Sequence, residues 1–380
     1  MSSNLTGLIQ SYLAGHGPAT FRWFMEQALY HPEHGYYASG KARIGRGGDF
    51  FTNVSVGPLF GRMLSTQFRE IWERMERPSP FFIVEQGAHD GQFACDVLEA
   101  LRQLAPDFLE AAHYKIVEPF DAMRKTQEEK LHRFGEKIIS WSDSISKLAP
   151  FCGIHFSNEL LDAMPVHLLV LREDGWKERC VDWRQNAFTF VERAIRDEGL
   201  KRYVTEREGP FRDGMRLEAN LDALAWVDSL AAKLQRGYVL AIDYGDANPA
   251  ARARETGTLA CYRSHRRIDD PLGAPGEIDI TARVDFSAVA RHAVRAGFQI
   301  EGFTDQHRFM TGLAANGLPD IGTEHEKKRR SLAFNQLAHP DLMGTHFKVL
   351  CLGKNVETGG PLRGFTFGRD PAAALGLPAR

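Results

Sequence analysis

Apolar residues recur along this chain with two different periods, and the way the periods alternate sets the expected architecture. Phe81-Phe82-Ile83-Val84 is a short, wholly apolar run, the mark of a strand buried on both faces. Phe93, Val97, Leu98, Leu101 and Leu104 follow at helical spacing, which predicts a helix over Phe93–Leu104. His113–Val117, Lys137–Trp141, Gly153–Ser157 and Tyr238–Ile242 repeat the strand signal, and Met123–Phe134 the helical one. Strands and helices in this alternation predict an α/β fold built on a mostly parallel sheet with helices on both faces.

The flanking segments break the rhythm and divide the chain. Residues 1–77 carry short helices at Leu5–Leu13 and Thr20–Leu29, then an aromatic loop, then a Gly-rich run from Gly45 to Thr52. Leu59–Met75 reads as an amphipathic helix, stopped by Arg77-Pro78-Ser79-Pro80, because proline cannot continue a helix. Residues 78–165 are expected to form the first part of a sheet core. Residues 166–234 look inserted: three short strands joined by the turn signals Asp174-Gly175 and Gln185-Asn186, then a helix near Arg216–Gln235. The core resumes over 235–354, with a helix from Asp285 closed by Gly297 and strands at Phe298–Phe303 and His346–Leu352. Residues 355–380 are rich in Gly, Pro and Arg and read as a loosely packed tail.

Composition narrows the class. At 380 residues the chain has room for two structural units, and 43% hydrophobic with 25% charged residues is ordinary for a globular protein with a full core. A formal net charge of −2 without a long basic block argues against nucleic acid as a partner. The short basic run Lys327–Arg330 reads as a solvated helix face. No stretch approaches the length of a membrane span. The five cysteines are scattered, with no C-x-x-C pair, so neither a disulfide framework nor a metal site is expected. With no secretory signal at the start, the expected location is the cytoplasm.

The chemistry concentrates where strands end. Glu85-Gln86-Gly87-Ala88-His89-Asp90-Gly91 joins a buried strand to a helix, a junction where glycines admit a ligand close to the backbone and the helix offers free N–H groups. A dinucleotide site wants G-x-G-x-x-G for its pyrophosphate; here His89 stands where a middle glycine would be. The turn suits a ligand with a ribose and an amino acid but no phosphates. Glu118, ending the next strand, is placed to accept hydrogen bonds from ribose hydroxyls. Ser157-Asn158-Glu159-Leu160-Leu161-Asp162 puts an amide and two carboxylates at a further strand end. Asp243-Tyr244-Gly245 does the same after Tyr238–Ile242, as a site-lining acid or a plain Asx turn. Gly48-Asp49-Phe50-Phe51-Thr52 lacks the G-K-[ST] of a phosphate loop and reads as a mobile cover.

These segments, together with Gly57-Pro58-Leu59-Phe60-Gly61, Gly257-Thr258-Leu259, Asp279-Ile280-Thr281-Ala282-Arg283-Val284-Asp285-Phe286 and Phe347-Lys348-Val349-Leu350, resemble in their order the MidA-like family. That resemblance implies a Rossmann-like, seven-stranded methyltransferase sheet with an N-terminal lid region and an inserted smaller unit. It implies S-adenosylmethionine as cofactor, S-adenosylhomocysteine as product, and arginine of a protein substrate as acceptor, in this family a respiratory-complex subunit. By position, Glu85, Gly87, His89, Asp90 and Gly91 would form the cofactor turn and Glu118 would hold the ribose. Trp141 and Ser142 would neighbour the adenine, Asn158 the amino-acid end, and Gly48, Asp49, Phe50 and Thr52 would close over the ligand. Glu159 is the expected catalytic carboxylate, assisted by Asp162 or Asp243. The family turn resembles E-x-G-x-G-x-G, so His89 is a departure. It leaves open a binding or assembly protein without turnover, or a small-molecule methyltransferase; the missing glycine disfavours a nicotinamide oxidoreductase.

Overall fold

The computed structural model describes residues 4–38, 52–207, 211–247, 256–263, 266–320, 322–357 and 359–378. The chain forms two compact units. The larger comprises Phe51–Leu160, Trp226–Gly245 and Phe286–Arg380; the smaller comprises Met1–Phe50, Leu161–Ala225 and Asp246–Asp285. This groups the chain differently from five consecutive segments, because the first helices share a core with the β-rich insertion.

The larger unit is built on strands β1 (Phe81–Gln86), β2 (Ala112–Val117), β3 (Ile139–Ser142), β4 (Phe151–Asn158), β5 (Leu234–Asp246), β6 (Gln299–Asp305) and β7 (Phe347–Lys354). The main path of the sheet runs β6-β7-β5-β4-β1-β2-β3. The five strands from β5 to β3 are parallel, and β7 lies antiparallel to both β5 and β6. Strand β1 pairs with β2 on one side and β4 on the other, so the strand order reverses there. In open α/β sheets that reversal leaves a crevice at the carboxyl ends of the strands. The register aligns those ends: Gln86 faces both Val117 and Ser157, Val117 faces Ser142, and Ile242 faces Asn158.

Helices α1 (Leu59–Arg74), α2 (Gln92–Leu104) and α3 (Asp121–Leu131) belong to this unit. Their apolar faces supply Phe60, Phe68, Phe93 and Leu101 to one core with Ile83, Tyr114, Phe156 and Leu240 of the sheet. The expectation of a loose tail is corrected. Leu362, Phe365 and Leu375 are buried, Phe365 packs against Phe309, and the Gly364 N–H donates to Gln67. Gly302 and Gly364 leave the room: a Cβ on Gly302 would lie 2.3 Å from the Phe365 ring and one on Gly364 2.2 Å from Phe309.

The smaller unit carries a five-stranded antiparallel sheet. It includes His167–Arg172, Gly175–Arg184, Ala187–Ala194 and Arg216–Ala219. Gln185 and Asn186 both take positive φ in the tight turn between two of these strands, as their side-chain types predict. Arg216–Ala219 is a strand rather than the start of a helix. Asn220 is the reason: its side-chain oxygen accepts the Ala223 N–H, so the helix Leu221–Lys233 begins only after it. Helices Asn4–His16 and Phe21–Tyr30 bury Leu5, Ile9, Phe21 and Phe24 against Leu168, Val181 and Ile280 of this unit.

Candidate functional site

The turn after β1 is shaped by three left-handed residues. Gly87, His89 and Gly91 have φ of 81, 45 and 79°. Glycine adopts this region freely, whereas a residue with Cβ pays about 1 kcal/mol or more. That explains what a glycine at the middle position provides, and what His89 costs. Gly91 caps α2, and a Cβ there would also press within 3.1 Å of the Leu131 side chain. Asp90 accepts the Gln92 N–H and pairs with Lys130 at 2.6 Å. Burial opposes its charge, but His89 and Lys130 outweigh burial and hold its carboxyl below the usual range.

Gln127 organises the turn from α3, and sequence reasoning missed it. Its side chain is fully buried and its nitrogen donates to the His89 carbonyl (2.7 Å) and to Glu118 (3.0 Å). Its oxygen accepts the Trp141 indole N–H at 2.9 Å. The only available signal was a glutamine on the buried face of a highly polar helix. The second Glu118 oxygen accepts the Phe120 N–H, so the carboxylate at the end of β2 is fixed by donors on both oxygens. Burial raises the Glu118 pKa against these donors and the charges of His89 and Arg124. The Ser142 hydroxyl donates to the Ser144 carbonyl, and its own carbonyl accepts the Glu118 N–H.

Glu85 is buried beneath the turn rather than in it. Tyr114 donates to it at 2.6 Å, and burial pushes its carboxyl up to about 8, with Tyr114 opposing. At neutral pH it is mostly protonated, a group of the core.

At the end of β4 a second network forms around Asn53, also missed although it directly follows the predicted cover residue Thr52. The Asn53 side chain donates to Asn158 (2.8 Å), Asn158 donates to Glu159 (2.8 Å), and the Asn53 N–H donates to the same Glu159 oxygen (3.3 Å). Gln306 in turn donates to Asn53. Glu159 sits at φ 54°, and its N–H donates to the Ile242 carbonyl of the adjoining strand. The Asp243 oxygens accept the Leu160 and Tyr244 N–H groups, so this acid holds two turns in place.

The sequence-derived candidates therefore distribute as follows. Thr52, Glu85, Gly87, His89, Asp90, Gly91, Glu118, Trp141, Ser142, Asn158, Glu159 and Asp243 all lie in the larger unit. Asp162 belongs to the smaller unit, where it is buried and lies in the electrostatic surroundings of Tyr30, Tyr37 and Asp279. Gly48, Asp49 and Phe50 lie outside the described residues.

A parallel sheet with an order reversal at β1, a glycine turn and an acid at the next strand end define a nucleoside-cofactor protein of the α/β class. Residues 63–304 match the family of S-adenosyl-L-methionine-dependent methyltransferases, and the chain belongs to that family. A protein from Burkholderia thailandensis, solved with S-adenosyl-homocysteine bound, is 30% identical, with 97% of this chain and 96% of that one covered and a TM-score of 0.86. Among curated relatives, the Drosophila melanogaster protein arginine methyltransferase NDUFAF7 homolog is 28% identical, covering 92% of this chain and 84% of its own. The human protein arginine methyltransferase NDUFAF7 is 26% identical, at 88% and 80%. Both are named mitochondrial, which overturns the cytoplasmic expectation. Cysteines without a disulfide fit any reducing compartment and do not distinguish one from another.

Proposed function

We propose that this methyltransferase acts on arginine of a protein, and that the ends of β1, β2 and β4 hold its cofactor. The observation that carries the reading is the fixed carboxylate of Glu159, held by Asn53 and Asn158 at the strand end next to the glycine turn. Relatives named as protein arginine methyltransferases support the acceptor. A respiratory-complex subunit, which the family resemblance in the sequence suggests, is the kind of protein to test first.

The residues fit an adenosyl amino acid. Gly87 is exposed at the turn, so backbone is open to close approach. Glu118 keeps a free lone pair on each oxygen for two ribose hydroxyls, and Trp141 is steadied by its N–H, leaving a ring face for a base. S-adenosylmethionine, when bound, supplies a methyl group on an electrophilic sulfonium. The chain's part is alignment: Glu159 accepts hydrogen bonds from the guanidinium edge and fixes its plane for in-line attack. The N–CH3 bond would form as the S–CH3 bond breaks, leaving neutral S-adenosylhomocysteine, and the nitrogen's proton would pass to solvent, while the Glu159 carboxylate pairs with a guanidinium that is cationic before and after. Asp243 positions the Glu159 turn, while Asp162 has its place within the smaller unit.

The test is methyl transfer from labelled S-adenosylmethionine into a lysate from cells lacking the protein, read by mass spectrometry of methylarginine. Glu159→Gln should keep cofactor affinity and lower transfer on the order of 100-fold. Unchanged turnover removes Glu159 from the mechanism; label on no arginine removes the acceptor assignment.

A further inference from the structure

The smaller unit encloses a cavity of about 500 Å³ that the methyltransferase reading does not use. Its walls come from the five-stranded sheet and from residues 256, 259, 261 and 267–271, all within that unit. Leu169, Leu217 and Phe190 provide apolar surface, and Arg179 and Arg216 face the same space. Neither guanidinium has a hydrogen bond or ion pair among the described residues.

Their neighbours are already committed. Glu192, opposite Arg179 across the strand pair, is ion-paired with Arg172. Glu218 accepts both the N–H and the hydroxyl of Thr258. Asp270 accepts the Leu272 N–H. Arg267 and Asp269 lie exposed at the rim. Burial first, then the like charge of Arg216, draw the Arg179 pKa down to about 10, with the charges of Glu192 and Glu218 opposing. The Arg179 guanidinium lies over the Phe190 ring at 4.0 Å, which occupies its face and leaves its edge donors free.

Two guanidinium groups without a hydrogen-bond or ion-pair partner among the described residues, beside an apolar wall, describe a receptor for a carboxylate on an apolar body. We propose that this cavity binds an acidic segment of a protein, with Glu or Asp side chains on Arg179 and Arg216 and flanking apolar side chains on Phe190 and Leu169. The inference rests on the reading that the acceptor is a protein, and makes the cavity a recognition site for that substrate away from the methylated arginine.

The experiment titrates the full chain, without S-adenosylmethionine, with the blocked peptide acetyl-Gly-Leu-Glu-Glu-Leu-Gly-amide and its Gln-Gln counterpart, by calorimetry. The Glu peptide should bind at least about tenfold more tightly, a charge-assisted bidentate contact being worth that much or more. Arg179→Gln with Arg216→Gln should abolish the preference. Equal binding of the two peptides to the unaltered protein overturns the proposal whether or not the variant folds. Inorganic phosphate binding as tightly as the Glu peptide also overturns it, because the cavity would then take free anions. Since no cofactor is present, a negative result leaves the methyltransferase reading intact, and failed methyl transfer leaves this one intact.

Discussion

The side-chain nitrogen of Gln127 lies 2.7 Å from the backbone carbonyl of His89, so the later helix α3 holds the turn after β1 in its left-handed shape. The same side chain satisfies Glu118 and Trp141. Gln127→Leu strips a partner from all three, and each buried polar group left unpaired costs about 1–3 kcal/mol. Affinity for S-adenosylmethionine should fall about tenfold or more, with a lower melting temperature. Calorimetry giving wild-type affinity would mean that the turn does not need this tie.

His89 itself carries a different expectation. His89→Gly relieves the left-handed strain of about 1 kcal/mol but loosens the unfolded chain by a similar amount, so stability should barely move. Cofactor affinity should hold or improve. A marked loss of affinity would show that the imidazole touches the ligand.

Asn53 links Asn158, Glu159 and Gln306. Asn53→Ala should lower the rate of transfer more than the affinity for the cofactor, because it loosens Glu159, the carboxylate proposed to orient the acceptor. Destabilisation of about 1–3 kcal/mol should accompany it. A variant that loses cofactor binding but keeps turnover at saturation would contradict this division of roles.

Two buried groups give the larger unit opposing pH dependence. Burial draws His155 down to about 3, so the folded state binds fewer protons than the unfolded state between that value and the ordinary histidine range. Stability from this group rises with pH over that window. Burial raises Glu85 to about 8, so the folded state binds more protons from the ordinary carboxylate range up to that value, and stability falls as pH rises. Each slope is about 1.4 kcal/mol per pH unit. Urea midpoints should therefore decline from neutral to mildly alkaline pH in the wild type, and Glu85→Gln should flatten that decline. His155→Leu should flatten the rise at acid pH and, because neither ring nitrogen has a hydrogen-bond partner among the described residues, should not cost stability. Unchanged slopes in both variants would refute the assignment.

The docked tail predicts a large stability effect far from the site. Phe365 is buried against Phe309 in the pocket left by Gly302. Phe365→Ala should cost about 3–5 kcal/mol. A loss below about 1 kcal/mol, measured by denaturant unfolding, would return this segment to a loose tail.

Local pattern was enough to locate the elements that carry the fold. Phe81–Val84 reads as a strand because four consecutive apolar residues need burial on both faces, and Gly87 and Gly91 announce the turn because only glycine takes positive φ without strain. Glu118, Asn158 and Glu159 were found because they stand directly after such strands, so their positions follow from period and spacing alone. What those side chains do depends on partners distant in sequence. Glu85 reads as part of the turn by position, and the tertiary structure adds Tyr114 and the core around it; Asp243 reads as a strand-end acid, and the structure adds two backbone amides on its oxygens. Gln127 and Asn53 carry no local signature, because a buried amide is recognisable only by the groups it satisfies. The tail looked loose because glycine and proline mark irregular backbone, whereas burial of Leu362 and Phe365 is decided by the helices and glycines they meet. Sequence determined where chain direction changes and which residues stand at the strand ends; packing and hydrogen-bond satisfaction, which join residues up to hundreds of positions apart, decided which groups each of them meets.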